Sequence, residues 1–123
     1  MTALGYALAV VACGLGATTR YLLARLDPDA GFPWPTMAAN ALGSAALGVA
    51  ASAVAHGADA TVLLVAGSGF AGGLTTFSTL AVDTVVLLRE RRAGAAAGYL
   101  VGTAALGLAC VAAGYGAWSL VAA

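Results

Sequence analysis

The residues able to do chemistry in this sequence are mostly uncharged hydrogen-bonding side chains set inside apolar runs. Asn40 carries an amide with two donors and an acceptor. Thr75, Thr76, Ser78 and Thr79 place four hydroxyls within five residues. Such groups suit a bare anion, because they donate without carrying full charge. They serve equally well as hydrogen-bonded glue between helices, and both readings stand at this point. Phe77 and Leu80 lie three apart on one helix face; an aromatic ring has a positive edge that attracts anions, and it also packs in a core. Tyr99 and Thr103 share a face four residues apart, as a polar track or as interhelical bonds. Arg20 is placed to draw anions to a vestibule or to snorkel to the interface. Asp83 reads as a proton or cation site, or as a solvated or paired acid. No Ser-His-Asp, Cys-His or metal-ligand constellation is visible, so hydrolytic chemistry has no residues to run it.

The elements that position these groups follow from composition. The chain has 123 residues, 62% hydrophobic and 8% charged, whereas soluble domains are roughly one quarter charged. Net charge is zero, which leaves no basic surface for nucleic acid. Apolar runs of bilayer-crossing length, about 20 residues, occur at roughly 3–25, 36–54, 61–88 and 95–121. The expectation is an all-α membrane protein, one domain over 1–123 with four transmembrane helices. The first run is too long, and lacks the basic start, for a cleaved signal peptide. Cys13 and Cys110 sit in apolar runs and read as buried thiols.

The third run holds Gly67, Gly69, Gly72 and Gly73 immediately before its hydroxyls. Glycine weakens a helix interior, and unwound backbone at membrane depth lines cavities or is buried in protein. This predicts a broken third helix, the kind of place where membrane proteins put ion sites. A glycine packing face is the competing reading. Asn40, Ser44 and Gly48 share a face of the second span, and Gly94, Gly98 and Gly102 form a small-residue ridge on the fourth. Spans this rich in Ala and Gly offer close contact but little bulk, so an oligomer is expected.

The arginines are asymmetric. Arg25, Arg89, Arg91 and Arg92 fall in the first and third loops, and the opposite side holds no Lys or Arg. The positive-inside rule then puts both termini outside and favours one fixed orientation.

Three stretches together resemble the Fluc (CrcB) family of fluoride channels: CGLGATTRY (13–21), TMAANALGSAALG (36–48) and GFAGGLTTFST (69–79). Cys13 replaces a usual glycine and Ala39 a usual valine. The resemblance implies an antiparallel dimer in the cell membrane, with two narrow pores and a structural sodium ion (Na+) at the dimer interface. It implies passive fluoride export that lowers fluoride toxicity. By motif, Gly72 and Thr75 would offer backbone carbonyls to sodium, and Asn40, Phe77, Thr76, Ser78 and Thr79 would line the fluoride pore with Tyr99 and Thr103. Arg20 would sit near a vestibule. Asp83 falls where glutamate is frequent, and Gly107 where a hydroxyl is common.

Leu80 departs from the pattern, which usually has a second pore phenylalanine there. A leucine has no polarised edge. The arginine bias is a second departure, since an antiparallel homodimer needs one sequence that inserts both ways up. Together they favour a paralogous partner subunit over a homodimer. Two other functions compete: a four-span proton-coupled multidrug exporter, for which Asp83 is the sole intramembrane acid, and a non-transporting assembly subunit.

Overall fold

The computed structural model describes residues 1–123. It is built of helices only, joined by short turns. Helix α1 (Ala3–Leu26) starts at Thr2, whose Oγ1 accepts from the Gly5 N–H at 3.2 Å. That satisfies one of the donors that every helix start leaves over. The loop after it is pinned by the Trp34 indole, which donates to Asp27 at 2.8 Å, and by Arg92, which donates to the Gly31 carbonyl. Helix α2 (Trp34–Ala55) begins two residues before the expected 36. Pro35 costs nothing there, because the first turn has no use for its missing N–H.

Helix α2 ends in a glycine stop. Gly57 takes φ +97, the Gly57 N–H reaches the Val54 carbonyl at 3.1 Å, and the Ala58 N–H reaches Ala53 at 3.0 Å. Asp59 then orders the next start by accepting from the Thr61 N–H at 2.8 Å. Thr61, through its hydroxyl and then its backbone, holds the Asp59 carboxyl below its ordinary pKa.

The third crossing comes in two pieces. A π-helical stretch, Leu63–Ala71, runs into a last α turn, Gly72–Leu74; together they are called α3 (63–74). Thr75 and Thr76 are extended, with φ/ψ of −78/156 and −150/127. Helix α4 (Phe77–Arg89) follows, and α5 (Ala93–Ala122) closes the chain. The glycines of the third run are therefore helical, and the extended residues are the two threonines after them. Gly69 and Gly73 face α1, whereas Gly67 meets Leu47 of α2. A Cβ on Gly16 would overlap the Phe70 carbonyl oxygen, and a Cβ on Gly73 would overlap that of Cys13. Backbone meets backbone there, as in the tightest membrane helix pairs.

Helices α2 and α5 run parallel and make the broadest contact. Gly48 abuts the Val111 carbonyl, and Gly114 abuts that of Ala45. The expected ridge on α5 is a different line from the one that packs. Gly94 and Gly98 have no neighbour within 4 Å, and Gly102 meets only the Met37 tip. The face turned inward carries Ala96, Tyr99, Thr103 and Gly114. Tyr99 has the bulk to fill the interior, and its ring meets Phe32 edge-on at 5.7 Å, so the glycine ridge is turned away. Cys13, expected to be buried, is exposed on α1, and Cys110 is half-buried; both are free thiols.

Only 22 of 123 residues are buried within the chain. Leu4, Val10, Val11, Val101 and Leu108 are all more than 60% exposed. Apolar surface on that scale is not stable in water and calls for lipid or a partner chain.

Candidate functional site

The two extended threonines interrupt the ladder of backbone hydrogen bonds, and Asn40 on α2 repairs the gap. Its Oδ1 accepts from the Thr76 N–H at 2.7 Å, and its Nδ2 donates to the Thr76 carbonyl at 3.2 Å. One amide thus satisfies both backbone groups of a residue that is 8% exposed. Unmade, each would cost about 1–3 kcal/mol. The second Nδ2 proton is left over. Asn40 is therefore the interhelical bond, and it retains a donor for a further acceptor.

The break leaves the carbonyls at the end of α3 without their helical donors, those of Gly72 and Thr75 among them. In an unbroken helix the Thr76 N–H would bond Gly72 and the Thr79 N–H would bond Thr75. Here the first goes to Asn40 and the second to Thr76 Oγ1, at 3.2 Å. The Gly72 and Thr75 carbonyls thus lose their helical donors. Thr76 Oγ1 caps α4 in that bond, and lies 3.0 Å from Thr79 Oγ1 and 3.3 Å from Ser78 Oγ. The Thr75 hydroxyl turns back to the Ala71 carbonyl at 3.0 Å.

Two cavities meet at this junction. The larger, a groove of about 980 Å³, lies between α2, α3 and α5. Asn40, Gly72, Thr75, Thr76, Phe77, Leu80 and Thr103 all line it. Thr103 is 8% exposed, and its hydroxyl has no partner. Phe77 stands at the mouth, 80% exposed. Leu80 is half-buried and packs against the Leu87, Ala96 and Tyr99 cluster. The smaller cavity, about 300 Å³, holds Arg20, Thr36 and Thr79. Thr76 lines both. Arg20 makes no ion pair; the chain has one, a weak contact between Arg92 and Glu90.

Tyr99 and Ser78 line neither cavity. Tyr99 is fully buried, and its hydroxyl donates to Asp83 Oδ2 at 2.9 Å. Thr36 donates to the same oxygen at 3.1 Å. Asp83 is thus a paired acid that ties α4 to α2 and α5. Thr36 was not legible as part of this network, although it sits four residues before Asn40 on the same face. Ser44 and Ser68 also line the groove, and Ser44 had its signal in the Asn40–Gly48 spacing.

Four helices are long and apolar enough to cross a membrane: Ala3–Leu26, Trp34–Ala55, Leu63–Arg89 and Ala93–Ala122. With a polar junction inside the third crossing, they define a multi-pass α-helical membrane protein. A profile of the family described as CrcB-like protein, Camphor Resistance (CrcB), matches residues 7–115. The chain belongs to the CrcB family. Among its relatives is a Rubrobacter xylanophilus protein named fluoride-specific ion channel FluC 1, 44% identical over 92% of this chain and 94% of its own length. A Rhodococcus jostii protein named fluoride-specific ion channel FluC 2 is 47% identical over 77% of this chain and 82% of its own. A Thermobifida fusca protein named fluoride-specific ion channel FluC 1 is 42% identical over 90% and 96%.

Proposed function

We propose that this protein is a subunit of a fluoride-selective channel that lets fluoride leave the cell passively across the cytoplasmic membrane. Its activity is transport rather than catalysis. Family membership and the names of the relatives support the substrate. The observation that carries the site is the Asn40–Thr76 junction between two cavities. Fluoride is small and holds water tightly, so a dry passage must replace that water with donors. The spare Asn40 proton and the Thr103 hydroxyl are donors without net charge. A fixed cation would trap the ion, and conduction needs binding weak enough to release it. Arg20 in the smaller cavity concentrates anions at one end without facing the groove.

The groove is open along one side of the chain, with Phe77 at its mouth. Both fit a second subunit, packed antiparallel, that closes the passage. Sodium is the ion suited to the freed Gly72 and Thr75 carbonyls. Hard cations take oxygen ligands, and no cluster of His, Cys, Asp and Glu competes for a metal. Two carbonyls are half of a four-oxygen site, the other half coming from the partner. When bound, the ion would tie the two chains at the paired junctions.

The arginine bias favours both termini outside and argues for a partner that is a paralogue with the opposite bias. Leu80 points the same way, because it leaves one wall of a passage without a ring edge. Reconstitution into liposomes with a fluoride electrode tests the reading. The chain alone is expected to conduct poorly, and co-expression with a second family member of its own genome to give fluoride efflux. Strong efflux from the chain alone rejects the obligate paralogue. Absence of efflux from both preparations rejects the function.

A further inference from the structure

Helices α2 and α5 form one wall of the groove, and they run in the same direction. Met37 meets Gly102, Ser44 meets Gly107, and Gly48 meets Val111 and Tyr115. Polar residues therefore pair by level. Asn40 and Thr103 stand at one level, both lining the groove. Ser44 and Gly107 stand one helical turn further on, about 6 Å along the axis, and line it too. Thr103, which lines the groove, shows that this wall was left polar: its hydroxyl is buried and unpartnered.

At the second level the two helices are unequal. Gly107 has no side chain, and Ser44 Oγ lies 3.3 Å from where a Cβ on Gly107 would stand. That is tighter than ordinary contact, so the absent side chain makes the room that Ser44 occupies.

We propose that Ser44 is an ion-contacting residue of the passage, the single donor of the level beyond Asn40 and Thr103, and that Gly107 is glycine to admit it. The inference rests on the groove being the fluoride path. An ion leaving the Asn40 level has mostly apolar walls ahead of it, formed by Leu47, Leu108 and Val111, with Ser68 on α3 the one other hydroxyl beyond Ser44. A hydroxyl one turn away gives it a next donor before the last is released. Neutral donors in series bind strongly enough to admit the ion and weakly enough to pass it on.

The test is fluoride efflux from liposomes carrying the channel in its conducting assembly. Wild type, Ser44→Ala and the double variant Ser44→Ala/Gly107→Ser are compared at matched amounts of monodisperse protein. Ser44→Ala removes one hydrogen bond to an ion and lowers efflux about 10-fold or more. The double variant returns a hydroxyl to the same level from the opposite helix, into space the serine has vacated, and recovers efflux. A merely structural serine would not be rescued from another helix. Ser44→Ala conducting as well as wild type overturns the proposal, and so does a double variant no better than the single one. A wild-type assembly that passes no fluoride at all overturns the channel reading itself, which is a separate result.

Discussion

Asn40 does two jobs with one amide. It closes the hydrogen-bonding gap at Thr76, and one proton remains for an acceptor in the groove. Two substitutions probe these jobs. Asn40→Ala leaves the Thr76 N–H and carbonyl without partners, which costs about 1–3 kcal/mol for each group. Thermal unfolding in detergent is expected to show that loss together with abolished efflux. Asn40→Asp keeps an acceptor for the Thr76 N–H but has no donor for the ion and adds a negative charge. It trades the bond to the Thr76 carbonyl for a contact between two acceptors and is expected to pass no fluoride. At Asp83 the prediction runs the other way. The Tyr99 and Thr36 hydroxyls both donate to one oxygen, and an asparagine carbonyl accepts both. Asp83→Asn is expected to keep most of the efflux, whereas a proton-coupled exporter would lose all exchange. Asn40, Thr76 and Thr103 were legible because polar groups inside apolar runs must have a purpose. Which residue takes which partner was not. Tyr99 and Thr103 share a helix face, yet one is bonded to Asp83 and the other lines the groove.

At the scale of elements, the third crossing depends on where glycine is used. Gly16 and Gly73 let α1 and α3 touch through their backbones. Gly16→Ala would force α1 away from Phe70, and overpacking of this kind costs about 1–3 kcal/mol; a lowered unfolding temperature checks it. The turn after α4 offers the opposite change. Arg91 sits at φ 59, and the Arg92 N–H closes the turn on the Leu87 carbonyl at 2.9 Å. That position suits glycine, and a side chain there costs about 1 kcal/mol. Arg91→Gly is expected to raise the unfolding temperature. The crossings were legible from the lengths of the apolar runs. Their ends were less so, because Trp34 and Pro35 read as loop although a first helical turn accepts them. The glycines of the third run misled in their own way. Composition alone does not separate a glycine that weakens a helix from one that lets a neighbour approach, and Gly69 and Gly73 are of the second kind. The same ambiguity put the packing ridge of α5 on Gly94 and Gly98, one line away from the face that Tyr99 occupies.

As a whole molecule, the chain leaves much of itself uncovered. Its groove is open along one side, its apolar surface is mostly uncovered, and its arginines gather at one end. Moving three arginines tests orientation: replacing Arg89, Arg91 and Arg92 by Ser and adding Lys to the Ala55–Asp59 loop should invert the chain. Reporter fusions at the C-terminus read this directly, and an unchanged topology would remove the argument from charge. Leu80→Phe belongs to the same scale, because it returns a ring edge to the wall near Phe77. It is expected to raise the efflux of the chain expressed alone. The most direct test is fluoride efflux from liposomes containing this chain with the proposed paralogous partner, set against chloride under the same gradient. Rapid fluoride release without chloride release, lost on Asn40→Asp, is the predicted result. Equal release of both halides, or fluoride release untouched by Asn40→Asp, would contradict the account.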